Sequence, residues 1–264
     1  MPDKITSGSN PRIRRLVELR KKGKLRRETG TFVIEGTRLC TDTPPEYILE
    51  VYATESWLQT AGDAEKRLLQ DHPLTILSEE AMAKAADTAT PQGILGLARM
   101  PSYSRGDLLR GCPLILVLED IQDPGNLGTI FRTAEAAGAT GIIMSRGTVD
   151  LFHPKVVRAT MSAIFRMPFY IGEDLCAELD ALRREGISSY AAHLGGKRPY
   201  DALELTKGCA FLIGNEGNGL SETLTAAADE KIIIPMQGGA ESLNAAMAAG
   251  ILLFEASRQR RNLR

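Results

Sequence analysis

The sequence predicts an α/β protein: a small α/β unit, then a larger one built on a mostly parallel sheet. Three observations carry this. Beyond residue 113, apolar strand-like runs alternate with helix-like stretches, as in parallel strands joined by crossover helices. The first of those runs, Leu114–Leu118, is apolar at every position, which burial on both faces of a sheet demands. The loops after three of the strands are rich in Gly, Asn, Ser and Glu, and stand at the sheet edge where open α/β folds gather ligands.

The elements follow in chain order. Residues 1–28 open polar, and Ser7-Gly8-Ser9-Asn10-Pro11 is a helix-start signal ahead of a basic segment striped with Ile13, Leu16, Val17 and Leu19. Gly23 interrupts that segment. Thr31–Glu35 is a short strand, and Gly36 leads into a helix through Arg38 and Leu39. Tyr47–Ala53 and Leu74–Leu77 are strands with a helix around Asp63–Gln70 between them. Ser78–Ala86 begins with Ser and early Glu79 and Glu80, a helix start, and Gly93–Ala98 closes the unit. The polar, Gly-punctuated stretch at 101–112 is expected as a linker, dividing the chain into 1–100 and 113–264. In the second part, strands are expected at Leu114–Leu118, Gly141–Met144, Met167–Ile171, Ser188–Ala192, Ala210–Ile213 and Lys231–Ile234. Helices are expected from Leu127 to Gly138, over Asp174–Arg184 and over Ser242–Arg258.

Composition sets outer limits. With 43% hydrophobic and 25% charged residues, the 264-residue chain can bury a core. Net charge is −1, but nine Lys/Arg stand between Arg12 and Arg27 against the single Glu18, a block suited to a polyanion. The four cysteines form no CxxC pair, and the three histidines no ligand cluster. This argues against zinc and a disulfide framework and predicts a reducing, cytoplasmic setting. No run approaches membrane-spanning length.

Three loops are candidates for chemistry. The first, Glu119 through Gly128, carries Asp123-Pro124-Gly125-Asn126 and places Asn126 and Arg132 near the carboxyl edge of the sheet. The second, Gly214-Asn215-Glu216-Gly217-Asn218-Gly219-Leu220-Ser221, brings backbone N–H groups close to a ligand. Its spacing matches neither the dinucleotide fingerprint nor a P-loop, which argues against a nucleotide-binding dehydrogenase. The third, Ile234 through Asn244, leads into a helix of Ala245, Ala246, Ala248, Ala249 and Gly250. Such small residues imply close approach by another helix, within the chain or from a second copy.

Together and in this order, DPGNLGTIFRTAEAAG (Asp123–Gly138), LIGNEGNGLS (Leu212–Ser221) and IPM with ESLNAAMAAGILLFE (Ile234–Met236, Glu241–Glu255) resemble the three motifs of the SpoU family of RNA ribose 2′-O-methyltransferases, in the SPOUT superfamily. TFVIEGTRL (Thr31–Leu39) is similar to the small RNA-binding domain that precedes many members. The resemblance implies a C-terminal domain with a deep trefoil knot, S-adenosylmethionine as cofactor, a homodimer, and no metal. By motif position, Gly214, Ile234 and Leu243 would line the cofactor site. Arg132 would be the catalytic arginine with Asn126 beside it, and Glu216, Ser242 and Asn244 would complete the site. One departure is Ala245-Ala246-Met247 where the family often has a Val-Ser-Val-like run.

The implied reaction suits these residue types. A sulfonium methyl is already activated, so the site must hold a weakly acidic ribose hydroxyl in line and remove its proton. A guanidinium can grip the adjacent phosphate and stabilise developing charge, but it hardly deprotonates. Glu216 is the more conventional proton acceptor, or it caps backbone N–H groups. The expected substrate is structured RNA, ribosomal rather than transfer RNA. The alternatives are a transfer-RNA 2′-O-methyltransferase and a non-catalytic RNA-binding or ribosome-assembly factor on the same fold. His153 and Lys155, after Gly147, are further candidates for RNA contact.

Overall fold

The computed structural model describes residues 2–239 and 241–262. The chain divides into two compact units. One takes in the chain through Pro101 together with Asp150–Phe165; the other takes in Ser102–Val149 and the chain from Arg166 onward.

The first unit runs β1 (Asp3–Ile5), α1 (Pro11–Lys21), α2 (Gly23–Thr29), β2 (Thr31–Glu35), α3 (Thr37–Asp42), β3 (Ile48–Thr54), α4 (Glu55–Thr60), α5 (Asp63–Asp71), β4 (Leu74–Leu77), α6 (Glu79–Ala85) and β5 (Ile94–Arg99). Its sheet has the order β1-β4-β3-β5-β2, with β5 antiparallel to both neighbours and the other pairs parallel. Asn10 caps α1 by accepting from the Arg12 N–H at 2.9 Å, and Pro11 holds the first helical position. Ile13, Leu16 and Leu19 then face inward onto Met82, Leu77 and Leu95.

In the second unit come α7 (Arg105–Leu108), β6 (Leu114–Leu118), α8 (Pro124–Ala137) and β7 (Gly141–Met144). After the excursion that carries α9 (Pro154–Thr160) follow β8 (Phe169–Ile171), α10 (Leu175–Arg184), β9 (Ser188–Ala192), β10 (Arg198–Pro199), β11 (Cys209–Ile213), α11 (Glu222–Ala227), β12 (Glu230–Ile233) and α12 (Ala245–Arg261). Seven strands lie in the order β10-β12-β9-β11-β6-β7-β8, every pair parallel. From β6 the chain builds outward through β7 and β8, then restarts on the far side of β6. That reversal is where an open parallel sheet opens a crevice at its carboxyl edge.

Several expectations are corrected. The stretch at 101–112 is not bare linker: Ser104 and Asp107 form a reciprocal capping box around α7, and Leu108 is buried where Gly141 leaves room for it. Residues 150–165 pack with the first unit, because the Phe152 and Phe165 rings stand 4.9 and 5.8 Å from that of Phe32 and Arg158 pairs with Asp87 at 2.8 Å. Helix α8 begins at Pro124, not Leu127, since Asp123 accepts from the Asn126 N–H at 2.8 Å and Pro124 fits the first helical position. Helix α12 begins at Ala245, because the cap is Asn244 and not a residue near Ser242. Strands β1 and β10 and helices α4 and α9 add to the expected set, and Lys155 lies in α9. Among the described residues no helix is long and apolar enough to cross a membrane, no group of three or more His, Cys, Asp or Glu side chains could hold a metal ion, and all four cysteines are free.

Candidate active site

Strands β12, β9, β11 and β6 are neighbours in the sheet, so the loops leaving their carboxyl ends converge. Between them lies a cavity of about 420 Å³, lined by apolar Ile213, Ile234, Met236 and Leu243 and by the whole Gly214–Leu220 loop.

The glycine loop is folded back on itself. Asn215 and Gly219 exchange two backbone hydrogen bonds, at 3.0 and 2.9 Å, and the Asn215 side chain accepts from the N–H groups of Gly217 and Asn218 at 2.9 and 3.0 Å. A Cβ on Gly214 would stand 2.2 Å from the Gly219 carbonyl carbon and the Leu220 nitrogen, so only glycine fits.

Two side chains stitch this loop to the first one. Asn215 donates to the Asp120 carbonyl at 2.8 Å, and Glu119 accepts from both the N–H and the hydroxyl of Ser221 at 2.7 Å. Asp120 itself sits at φ +53°, which Asp tolerates better than most residues, and is held there by Ser145.

Glu216 makes the central connection. Its carboxylate accepts from the Gln122 N–H at 3.0 Å, the Asp123 N–H at 3.1 Å and the Asn126 side-chain amide at 2.9 Å. Burial acts to raise its pKa, but the hydrogen bonds from Asn126, Gln122 and Asp123 outweigh it and hold the carboxyl below its ordinary value. Asn126 in turn accepts from the Asn244 amide at 2.8 Å, while the Asn244 oxygen caps α12 by accepting from Ala246 and Met247 at 2.9 and 3.2 Å. That cap fixes the orientation of both amides: the Asn244 oxygen is occupied by backbone donors, so its nitrogen faces Asn126 and the Asn126 nitrogen faces the carboxylate.

Seven of the eight residues singled out in the sequence thus meet. Gly214, Glu216, Ile234, Ser242 and Leu243 line the cavity, and Asn126 and Asn244 buttress it through Glu216. Arg132 stands apart. It lies six residues beyond Asn126, which turns it roughly 120° around the helix and about 9 Å along it. It is exposed, and among the described residues no hydrogen bond or ion pair holds it. His153 serves as the cap of α9, accepting from the Lys155 N–H at 3.3 Å. Ala192, His193 and Leu194, at the end of β9, also line the cavity. No motif marks them; their only signal in the sequence is that they follow a strand.

A crevice at the carboxyl edge of a parallel sheet, with apolar walls and a backbone-lined glycine loop, defines an α/β protein that binds a small organic cofactor. Residues 113–254 match the SpoU rRNA Methylase family, and residues 10–96 match the MRM3-like substrate binding domain. The 23S rRNA (guanosine(2553)-2′-O)-methyltransferase RlmP of Bacillus subtilis is 32% identical over 95% of this chain and 97% of its own. An AdoMet-bound rRNA methyltransferase from Sinorhizobium meliloti superposes with a TM-score of 0.84 at 30% identity, covering 97% of both chains. AviRb of Streptomyces viridochromogenes, solved with AdoMet, gives 0.84 at 26% identity over 96% of this chain and 98% of its own. The chain belongs to the SpoU rRNA methylase family and is an S-adenosylmethionine-dependent RNA ribose 2′-O-methyltransferase.

Proposed function

We propose that this enzyme methylates a ribose 2′-hydroxyl of ribosomal RNA, using the first unit to hold the RNA and the second for the chemistry. The carrying observation is the joining of all three loops through Glu216, Asn126 and Asn244 around one cavity.

The cavity fits S-adenosylmethionine. Ile234, Met236 and Leu243 offer an apolar bed for an adenine, and the Gly214–Leu220 loop offers backbone groups at close range. Bound there, the cofactor supplies an activated methyl group. Gly214, Ile234 and Leu243 hold it, and Ser242 stands exposed at the rim, open to the incoming nucleotide. Glu216 is a positioning residue: with three donors on its carboxylate, it sets the shape of the first loop and is poorly placed to collect a proton. Arg132, exposed and unpaired among the described residues, suits an RNA that arrives from outside: its planar fork can take two phosphate oxygens and steady charge developing on the ribose oxygen.

Two further features complete the reading. After β12 the chain returns past β9 and β11 to lay α12 against α8, β6 and β11, a crossing that supports a trefoil-knotted C-terminal domain. On α12, Met247 (60% exposed) and Phe254 (45%) stand one above the other with Ile251 between, an apolar stripe that supports a homodimer through this helix. The setting is a reducing, RNA-bearing compartment such as the cytoplasm.

The test is transfer of labelled methyl from S-adenosylmethionine to RNA of a strain lacking the protein, followed by nucleoside analysis. A 2′-O-methylnucleoside in ribosomal RNA, absent with Arg132→Ala while cofactor affinity is retained, is the expected result. Cofactor binding without transfer to any RNA, including partly assembled ribosomal particles, would favour a non-catalytic RNA-binding role.

A further inference from the structure

The nine cations between Arg12 and Arg27 are sorted by the fold into two kinds. Arg12 is tied to Asp3 and Thr75 at 3.1 Å, Arg20 to Asp87, Lys22 to Glu18 and Lys24 to Glu28. Arg26, 2% exposed, gives its guanidinium to the Leu19 and Arg20 carbonyls and to Asp150. These five are paired: Arg12, Arg20 and Arg26 to residues from elsewhere in the fold, and Lys22 and Lys24 to an exposed acid one helical turn away. Arg14, Arg15, Lys21 and Arg27 are exposed, and among the described residues none has an ion pair or hydrogen bond.

Arg14 and Arg15 converge with a cation from elsewhere in the chain. Together with Lys84 of α6 they line a groove of about 420 Å³, with Gly8, Pro11 and Val17. The aliphatic stem of Lys84 lies across Gly8, where a Cβ would stand 3.3 Å from its Cγ. Glu18 also lines the groove, but its carboxylate is engaged by Lys22 at 2.7 Å. Three like charges around one concavity, with the nearest carboxylate occupied, form a site of positive potential that an anion would relieve. The groove is built on rigid ground: α1 sends Ile13, Leu16 and Leu19 into the core, and α6 sends Ala81, Met82 and Ala85.

We propose that this groove takes phosphodiester groups of the RNA substrate, with Arg14 and Arg15 gripping phosphate oxygens and Lys84 closing the opposite wall. The assignment rests on the RNA-substrate reading above, and it divides the basic segment into residues that contact RNA and residues already paired within the chain. It also excludes the simplest experiment. Deleting residues 1–28 would remove β1 from the sheet and three core residues of α1, so lost binding would report lost folding.

The test uses full-length protein and labelled, deproteinised ribosomal RNA as probe, titrated between about 50 and 200 mM salt, the range over which phosphate contacts are read. One variant carries Arg14→Gln, Arg15→Gln and Lys84→Gln. The other carries Lys4→Gln, Lys24→Gln and Arg110→Gln, an equal loss of charge at cations that are already paired. Three phosphate contacts fewer should flatten the salt slope by about two to three, so wild-type affinity falls about 20- to 40-fold more across that range than the groove variant's. The paired-cation variant should keep the wild-type slope, and both should keep the wild-type thermal midpoint and cofactor affinity. Equal losses in the two variants would overturn the groove in favour of bulk charge. A groove variant that binds like wild type would overturn the groove alone, leaving this face free for a partner other than RNA. A wild-type protein that does not bind the RNA would overturn the RNA reading and the groove with it.

Discussion

The side-chain amide of Asn126 lies 2.9 Å from a Glu216 carboxylate oxygen, and its own oxygen is occupied by Asn244 at 2.8 Å. Three residues far apart in the chain therefore share one hydrogen-bond direction, running from the cap of α12 through the start of α8 to the glycine loop. An ionised Glu216 is the acceptor that terminates it.

Glu216→Gln should break this chain at its end. A glutamine has one acceptor oxygen in place of two, and its amide nitrogen would face the Gln122 or Asp123 N–H or the Asn126 amide. The cost should be about 0.5–1.5 kcal/mol, the net worth of a hydrogen bond whose exposed donors water can still reach. The effect should depend on pH. The folded-state pKa of Glu216 is depressed, so its stabilisation is complete above the ordinary glutamate value and is lost as pH falls through the lower folded value. Urea denaturation of wild type and Glu216→Gln from neutral pH down through that interval should show the difference shrinking. A constant difference would mean that the carboxylate's charge contributes nothing.

Gly214→Ala should abolish cofactor binding at modest cost to the rest of the fold. Its methyl would fall 2.2 Å from the Gly219 and Leu220 backbone, and backbone cannot swing aside as a side chain can. Gly217→Ala is the matched control, since its Cβ meets only the Asn215 oxygen, at 3.5 Å. Calorimetric titration with S-adenosylmethionine should give at least a tenfold loss, about 1.4 kcal/mol, for the first and little change for the second.

These two residues also show how far the sequence reaches. Fully buried parallel strands are continuous apolar runs, so Leu114–Leu118 and Gly141–Met144 have the same bounds in the structure as in the sequence reading. The edge strands β1 (Asp-Lys-Ile) and β10 (Arg-Pro) carry no such run, because a short strand at a sheet edge needs little apolar surface. The glycine loop was legible by composition, but the role of Asn215 within it was not, because an Asn that ties a loop together looks like any turn Asn. Nor could local pattern reveal that 150–165 leaves one unit for the other. That depends on Phe32, more than a hundred residues away, receiving Phe152 and Phe165.

Ser162→Gly should stabilise the protein. Met161 and Ser162 occupy the left-handed region in succession, at φ +49° and +69°, where a Cβ is disfavoured. The Ser162 hydroxyl is buried, with no hydrogen-bond partner among the described residues. Glycine removes both penalties and adds back unfolded-chain entropy, for a net gain of about 1–2 kcal/mol. Thermal unfolding would register this as a rise of several degrees. If stability rises while methyl transfer falls, the strained turn serves the reaction.

Arg260 offers the opposite case, a charge with no acidic partner among the described residues. Its guanidinium donates to the carbonyls of Leu205 (2.9 Å), Cys112 (2.8 Å), Pro113 (2.9 Å) and Lys207 (2.6 Å), gathering the chain that enters β6 and β11 around the last turn of α12. Carbonyl dipoles replace a carboxylate as its counter-charge, and the planar fork reaches all four at once. Lysine keeps the charge but cannot reproduce that spread, so Arg260→Lys should still cost about 2 kcal/mol, and Arg260→Met more, because carbonyls that lose a charged donor lose the stronger kind of hydrogen bond. The contacts lie at the amino edge of the sheet, opposite the cofactor cavity. Both variants should therefore lower the denaturation midpoint while leaving S-adenosylmethionine affinity within about twofold, below 0.5 kcal/mol. A large loss of cofactor affinity would show that the end of α12 controls the site at its beginning, some 16 residues away along one helix.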